Sequence, residues 1–321
     1  MSDGRAGATG EGSRGGDWAI PAPRLRGTLA SLATVARPRS VLARVGLGIV
    51  LFYLGIAILA PWLVPHDPAA YSGNPLERPS AAHPLGTNDV GQDILSELLY
   101  GARIALLLAA AAGGLTLALA ALVGLTAGYF GGLVDALLMR LVDVLLAIPH
   151  LPLMIILAAY LGPRLLNIIL IIALLGWMVP ARVIRAQVRS LRGQGHIQAA
   201  QLFDGGPTYI IRRHLIPALA PILAATFVAQ AGRAIGVEAG LAFLGLGDPS
   251  AKSWGLMIRY ALDYRGIYFT PHWLWWLLPA GLNISLLILG FTFLGVALEA
   301  RLDPRLRRHV GAARAAGRRD G

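Results

Sequence analysis

Cysteine is absent from this chain of 321 residues, and lysine occurs only once, at Lys252. Without cysteine, the chain can form neither disulfide bonds nor thiolate metal sites. Charge is also scarce, since 14% of the residues are charged and 56% are hydrophobic. A soluble domain typically carries about 25% charged residues. This composition predicts a protein embedded in a lipid bilayer.

Motifs for nucleotide hydrolysis and for metal binding are missing as well. The phosphate-binding loop GxxxxGK[ST] requires a lysine after glycine, but Lys252 follows Ala251. The seven histidines include no pair at i, i+4 spacing, which is the spacing that places two ligands on one helix face. No serine, aspartate and histidine are grouped as in a nucleophilic site. We therefore predict no catalytic residue, no metal site and no cofactor, so that a partner must supply any energy.

Six apolar runs contain no charged residue, and a helix needs about 20 apolar residues to cross the hydrocarbon core. They predict an all-α integral membrane protein built as a six-transmembrane-helix bundle. The second and sixth runs are longer than one straight span requires, so we expect both to include interfacial segments. The runs are Val45–Val64, Ile104–Val134, Val144–Pro163, Leu165–Ala181, Leu215–Gly232 and Gly266–Leu298.

The distribution of positive charge predicts the orientation of the bundle. If both termini are cytoplasmic, the inner segments hold 21 of the 28 basic residues and the outer segments hold 7. Cytoplasmic loops carry an excess of arginine and lysine, so this orientation is favoured. The net charge of +11 is then explained by topology, and we expect the lipid bilayer, rather than nucleic acid, as the surrounding partner.

The segment His196–Pro221 is the most informative part of the sequence. Its residues Ile197, Ala200, Gln201 and Asp204 follow a helical spacing. Glycine and proline at 205–207 end that helix, and the chain can restart a helix before the next span. The pattern predicts a helix-break-helix element on the cytoplasmic face, although a solvated basic loop would show similar features.

The same segment resembles the signature of ABC-importer permeases, which reads E-A-A, three residues, G, nine residues and I-x-L-P. Gln198 replaces the acidic residue of the signature, and Asp204 stands where glycine is usual, directly before Gly205. In that family the element docks on the ATP-hydrolysing subunit. The resemblance therefore implies the following ATPase-coupling residues: Gln198, Ala199, Ala200, Asp204, Gly205 and Pro217.

Five further segments, in order along the chain, resemble the dipeptide, oligopeptide and nickel permease family, and in particular its second permease type. The resemblance covers residues 45–307 and implies the fold of a type I ABC importer permease in the inner (cytoplasmic) membrane. It also implies three partners, namely ABC ATPase subunits, a second and different permease, and an extracytoplasmic substrate-binding protein. The segments are His83–Leu106, Asp135–Pro149, Phe243–Gly247, Ser253–Gly255 and Leu302–Arg307.

In this interpretation the chain is a non-catalytic transport subunit for peptides or related small solutes. An ion-gradient-driven secondary transporter is the alternative, but it would predict paired inverted repeats, which the sequence does not show. A structural membrane protein is a third option. The predicted organisation begins with a disordered cytoplasmic tail at 1–40, the first span at 41–64 and a periplasmic loop at 65–101. A core with five further spans follows at 102–300 and contains the coupling loop 190–216. The chain ends in a basic cytoplasmic tail at 301–321.

Individual polar and aromatic residues inside or beside the spans allow further predictions. Glu238 could line the translocation path, or it could be an interfacial acid paired with Arg233 or with backbone. Arg140 and Asp143, at i, i+3 spacing, could pair on one helix face. The tryptophans at 273, 275 and 276 predict an aromatic belt at the membrane interface.

Overall fold

The computed structural model describes residues 41–202 and 205–302, with side chains to residue 299. The predictions for 1–40, for Asp204 and for 303–321 lie outside the described residues. Within the described part the chain is helical, with two isolated β-bridges in the loop before the second helix. The helices are α1 (Val41–Leu63), α2 (Ile94–Phe130), α3 (Gly132–Ala147), α4 (His150–Leu161), α5 (Leu165–Gly176), α6 (Met178–Arg192), α7 (Gly195–Leu202), α8 (Pro207–Ile210), α9 (Ile216–Phe243), α10 (Trp254–Asp263) and α11 (Leu277–Leu302).

The helices provide up to six membrane spans, which agrees with the six apolar runs. Four stretches are long and apolar enough to cross a membrane alone: α1, α2, α8 with α9, and the segment that contains α11. Two bent pairs, α3 with α4 and α5 with α6, each pass the same test together. The all-α integral membrane fold predicted from the sequence is therefore confirmed.

The second span differs from its sequence prediction, because α2 is one uninterrupted helix of 37 residues. It begins at Ile94, inside the range 65–101 that the sequence analysis assigns to a loop. Asp93 caps this start, since its carboxylate accepts a hydrogen bond from the Ser96 N–H at 2.8 Å. At 1.5 Å per residue the helix is about 55 Å long, so it extends well beyond a hydrocarbon core of about 30 Å.

Proline accounts for both bent pairs. Helices α3 and α4 meet at 82°, where Ile148 is extended and Pro149 opens α4, because the residue before proline avoids the helical region. Helices α5 and α6 meet at 45°. Pro180 lies in the first turn of α6 and cannot donate a hydrogen bond to the carbonyl of Gly176.

Helix α2 lies at the centre of the bundle and forms its most extensive contact with α6. Glycines allow the two backbones to approach closely. A Cβ at Gly124 would lie 2.7 Å from the carbonyl oxygen of Ala181, and one at Gly128 would lie 2.7 Å from the Cβ of Val188. Small residues four positions apart permit this close helix crossing in membranes, and the crossing joins α2 rigidly to the helix that leads towards α7.

The tryptophans after α10 do not form the uniform interfacial belt that the sequence predicts. Trp273 is 44% exposed, but Trp276 is 1% exposed and belongs to the core between α1, α2 and α11. Two short 3-10 turns, Arg265–Tyr268 and Pro271–Leu274, bring the chain back so that the Trp276 ring lies 6.4 Å from the ring of Tyr264. The belt prediction is therefore wrong for Trp276.

Buried polar contacts hold the loop between α1 and α2 against the connection between α9 and α10. The Lys252 ammonium lies 2.8 Å from a carboxylate oxygen of Glu97 and 2.8 Å from the side-chain oxygen of Gln92. The Glu97 side chain is 3% exposed and that of Lys252 is 16% exposed. The single lysine of the chain therefore fixes two connections to each other at the end of the molecule where α2 begins.

Candidate functional site

The candidate site is the segment between α6 and α9, here called the coupling segment and comprising residues 195–217. Helix α7 (Gly195–Leu202) comes first, Gly205 and Gly206 lie outside helices, and α8 leads into α9. The helix-break-helix predicted from the sequence is present in the described residues. Helix α8 continues into α9 without an intervening loop.

Three apolar side chains attach the coupling segment to the bundle. Ile197 lies on α7, Ile210 lies on α8, and Leu215 lies directly before α9. All three are fully buried and belong to the core cluster to which α2, α5 and α6 also contribute. The opposite side of the segment is open, since Leu202 is 86% exposed and Tyr209 is 54% exposed. A segment fixed on one side with apolar groups exposed on the other is suited to docking.

The predicted signature residues take different positions in this segment. Gln198 and Pro217 are exposed, whereas Ala199, Ala200 and Gly205 are half-buried. The Gly205 N–H donates a hydrogen bond to the Ala200 carbonyl at 3.0 Å. A Cβ at residue 205 would lie 2.6 Å from that same oxygen, closer than a real side chain can approach. The close turn therefore requires glycine at 205.

One wide turn lies directly before α9. Residues Ile211–Leu215 form a π-helical turn, in which the Ile216 N–H donates to the carbonyl of Ile211. Pro217 follows in the first turn of α9 and has no N–H to donate. Such π-turns are frequent at functional sites, and this one leaves Arg212 and Arg213 exposed.

Aromatic rings connect the two halves of the coupling segment. The ring of His214 lies 5.6 Å from that of Tyr209, in an edge-to-face arrangement, and 6.4 Å from that of His196 on α7. Offset and edge-to-face contacts of this kind stabilise a pair by about 0.5–1.5 kcal/mol beyond the buried area. His214 therefore contacts both α7 and α8, which lie on either side of Gly205 and Gly206.

An open polar cavity of about 470 Å³ lies between the coupling segment and the end of α2. Gln198 and Gln201 line it from α7, and Asp135 and Arg192 line it from α3 and α6. Asp135 is also the centre of an ion-pair cluster, since the guanidinium of Arg185 contacts both of its carboxylate oxygens. This cluster fastens α3 to α6 directly beside the coupling segment.

The sequence analysis did not foresee these ion pairs. Asp143 pairs with Arg182 on α6 rather than with Arg140 on its own helix. The arginines at 182, 185 and 189 recur at helical spacing. This spacing could have predicted that one face of the helix is basic. The acidic partners on α3 are about 40 to 50 positions away in sequence, so spacing within one helix could not identify them.

Glu238 lies near the end of α9 and is 6% exposed. Its carboxylate lies beside the side chain of Ser253, which is the N-cap of α10, and the described residues show no ion pair between Glu238 and Arg233. An open groove of about 440 Å³ lies between α9 and α11, lined by Arg233, Gly236 and Phe291 among others. Glu238 is not part of its lining, and its assignment to a translocation path stays a prediction.

The bundle and its two bent spans define a class of protein, a multi-pass membrane protein. Comparison with known proteins identifies the family. The chain belongs to the family of binding-protein-dependent transport system inner membrane components, whose model matches residues 120–308. The N-terminal transmembrane domain of oligopeptide transport permease C matches residues 39–82. The chain is accordingly an inner-membrane permease subunit of an ABC importer.

Curated relatives align with most of the chain. The dipeptide transport system permease protein DppC of Bacillus subtilis (strain 168) is 35% identical over 272 residues, which is 84% of each chain. The oligopeptide transport system permease protein OppC of the same organism is 35% identical and covers 83% of this chain and 87% of its own. The probable D,D-dipeptide transport system permease protein DdpC of Escherichia coli (strain K12) is 35% identical over 260 residues, 80% of this chain and 85% of its own.

Proposed function

We propose that this chain forms one half of the path by which an ABC importer carries short peptides into the cell. The substrate class is supported by the relatives, which are named for dipeptide, oligopeptide and D,D-dipeptide transport. Their similarity extends over more than three quarters of the chain, so it includes the helices that would enclose the path. Related small solutes that a binding protein delivers are the wider class.

The coupling segment is the observation that carries this proposal. Its side with Ile197 and Leu215 is buried in the bundle, and its side with Leu202 and Tyr209 is exposed. We infer that ATPase subunits dock on the exposed side and hydrolyse the ATP. Because α8 continues into α9, a displacement of the docked segment would tilt that span and switch the bundle between inward-open and outward-open states.

Two further partners complete the proposed assembly. A second, different permease would pair with this chain. The matched N-terminal domain is that of oligopeptide transport permease C, and the letter indicates a system with more than one permease. The groove between α9 and α11 is a candidate surface for that pairing. A substrate-binding protein would dock at the opposite end of α2 from the coupling segment, where the α1–α2 loop and the α9–α10 connection meet through Lys252.

The test is the substitution Ala200→Trp in the importer reconstituted in liposomes. Ala200 is half-buried and its carbonyl holds Gly205, so a large side chain would force α7 away from a docked ATPase. Overpacking of this kind typically costs about 1–3 kcal/mol, and about 1.4 kcal/mol is a tenfold change in an association constant. We expect membrane insertion to be normal, ATPase association to weaken about tenfold, and uptake to fall with it.

The control is Ala81→Trp, an exposed position in the loop between α1 and α2, at the other end of the molecule. It should leave ATPase association unchanged. Normal association and normal ATP-driven uptake in Ala200→Trp would show that the segment is an ordinary linker. Uptake that continues in liposomes without nucleotide would instead favour an ion-gradient-driven secondary transporter.

A further inference from the structure

The loop between α1 and α2 contains three side chains with metal-binding groups that come from separate points of the chain. His66 follows the end of α1 by three residues, His83 lies in the middle of the loop, and Asp93 is the N-cap of α2. One donor atom from each residue lies within 4.8 Å of the donor atoms of the other two. The sequence analysis missed this cluster because it searched for histidines four positions apart on one helix.

The cluster is buried and tightly arranged. Nδ1 of His83 lies 2.9 Å from Oδ1 of Asp93, and the two side chains are 5% and 0% exposed. The rings of His66 and His83 are stacked, with centroids 4.7 Å apart and an angle of 30° between their planes. His83 and Asp93 are therefore held together away from bulk water, and the partly buried ring of His66 covers one face of the His83 ring.

One nitrogen in this cluster lacks the partner that its burial requires. Nδ1 of His66 is buried and has no hydrogen-bond partner among the described residues. A buried polar atom without a partner is costly because it has lost its hydrogen bonds to water, and it points to a bound ion or to an ordered water. The other groups are accounted for, since Oδ2 of Asp93 accepts from the Ser96 N–H and hydroxyl.

We propose that His66, His83 and Asp93 form a binding site for a divalent transition-metal ion, with Zn²⁺ as the best match. Two imidazoles and one carboxylate are a ligand set that zinc uses, whereas Mg²⁺ and Ca²⁺ prefer oxygen ligands throughout. Coordination of the ion would replace the direct contact between His83 Nδ1 and Asp93 Oδ1. Water would complete a tetrahedral site.

The geometry requires small adjustments in the pair His83–Asp93 and in His66. With bonds of about 2.0–2.2 Å, the donors of a tetrahedral zinc site lie about 3.4 Å from each other. His83 Nδ1 and Asp93 Oδ1 lie 2.9 Å apart, so they would have to separate by about 0.5 Å. The donor atoms of all three residues lie within 4.8 Å of one another, and the partly buried ring of His66 would turn towards the ion.

The consequence would be a clamp at the end of the molecule opposite the coupling segment. The ion would join His66, three residues after α1, to His83 in the middle of the loop and to Asp93 at the N-cap of α2. A ligand that binds only the folded state stabilises it by an amount that grows with ligand concentration above Kd. Zn²⁺ should therefore fix the loop to α2 and raise the melting temperature Tm of the chain.

The experiment uses the full chain in lipid nanodiscs, purified with an affinity tag that lacks histidine and stripped with a chelator. Zn²⁺ alone is the probe, and bound metal after dialysis and Tm are the readouts. The variant is His66→Ala, which retains the backbone N–H bond of residue 66 to Ser96 Oγ at 3.2 Å and removes the ring that stacks on His83. The control is His272→Ala, whose Nδ1 already contacts Thr270 Oγ1 at 2.6 Å.

We expect the wild-type chain and His272→Ala to bind near-equimolar Zn²⁺ and to gain several degrees in Tm, whereas Mg²⁺ has no effect. His66→Ala should gain no Tm when Zn²⁺ is added and should lose at least tenfold in Zn²⁺ affinity. His83→Ala should lose affinity as well. Equal binding by His66→Ala and the wild type, or no binding by the wild type at millimolar Zn²⁺, would overturn the proposal and leave an ordered water as the partner of His66.

Discussion

The backbone N–H of Gly205 donates a hydrogen bond to the carbonyl oxygen of Ala200 across the break that separates α7 from α8. The position that a Cβ of residue 205 would occupy lies 2.6 Å from the same oxygen. The family signature has glycine one position earlier, at the place of Asp204, and the structure assigns the close backbone contact to Gly205. The angle between the two helices of the coupling segment therefore depends on residue 205 being glycine, which has a hydrogen atom where other residues have a side chain.

The first prediction is that Gly205→Ala disrupts coupling and Gly206→Ala does not. An alanine at 205 must push the Ala200 carbonyl away, whereas a Cβ at Gly206 would have no atom within 4 Å. We expect Gly205→Ala to insert normally but to lose about tenfold or more in ATP-driven uptake, which corresponds to about 1.4 kcal/mol. Uptake assays on both variants in reconstituted vesicles provide the measurement, and equal activity would contradict the prediction.

The sequence predicts the coupling segment well because local chemistry determines it. Helical spacing, two glycines and a proline specify a helix, a break and a second helix within about 20 residues, and the described structure has all three. The apolar runs likewise predict the spans, because each must satisfy its backbone hydrogen bonds within itself in lipid. Residues 94–101 were assigned to the loop because Glu97 and Arg103 interrupt the apolar run, although Asp93 had the chemistry of an N-cap.

Contacts between distant segments could not be predicted in the same way. Lys252 binds Glu97, 155 positions away, and Asp135 binds Arg185, 50 positions away. Trp276 has the composition of an interfacial residue but is buried because two 3-10 turns reverse the chain before it. The cluster of His66, His83 and Asp93 belongs to the same class, since it forms only when the loop folds onto the start of α2.

The second prediction concerns the buried ion pair between Glu97 and Lys252. Lys252→Ala would leave the Glu97 carboxylate buried without its counter-charge, and breaking a buried pair in this way typically costs about 3–5 kcal/mol. We expect a large fall in Tm in detergent. Arg259→Ala removes one partner of the exposed pair Arg259–Asp263, at 3.3 Å, and should cost no more than about 1 kcal/mol.

The double variant Lys252→Met with Glu97→Gln tests the same pair from the other side. It removes both charges and should recover part of the stability that Lys252→Ala loses, since the unpaired buried charge is gone. If Lys252→Ala lowers Tm no more than Arg259→Ala does, the pair is not a structural link between the two connections.

The third prediction concerns Asp248, in the connection between α9 and α10. Burial raises the pKa of its carboxyl, but hydrogen bonds from the Ser250 side chain and from the backbone N–H groups of Leu165, Ser250 and Ala251 lower it, and the net pKa lies below the usual value. The Leu165 N–H, at 2.9 Å, begins α5, so Asp248 joins two connections that are distant in sequence.

A carboxyl whose pKa is lower in the folded state stabilises the fold above its unfolded pKa of about 3.9 and loses that contribution as the pH falls through its folded pKa. Asp248→Asn should therefore lower Tm at neutral pH, and its difference from the wild type should shrink below about pH 4. Asp263→Asn, at an exposed position, serves as the comparison. A wild-type advantage that stays constant down to strongly acidic pH would refute the ionic contribution.

The last prediction is the orientation, with both termini in the cytoplasm. The chain has no cysteine, so each introduced cysteine is the sole reactive thiol. Positions 75 and 249 are exposed near the start of α2 and in the α9–α10 connection, and Leu202 is 86% exposed on the coupling segment. Because α2 is about 55 Å long, these positions lie at opposite ends of the molecule, and a membrane-impermeant maleimide distinguishes them.

In intact spheroplasts, Pro75→Cys and Pro249→Cys should react and Leu202→Cys should not, whereas all three should react after permeabilisation. The reason is the excess of arginine in the segments beside the coupling segment, which cytoplasmic loops carry. The ATP that drives an importer is cytoplasmic, so the coupling segment can meet an ATPase only on that side. Labelling of Leu202→Cys from outside, at the rate of Pro75→Cys, would reverse the topology and remove the mechanical basis of the proposed coupling.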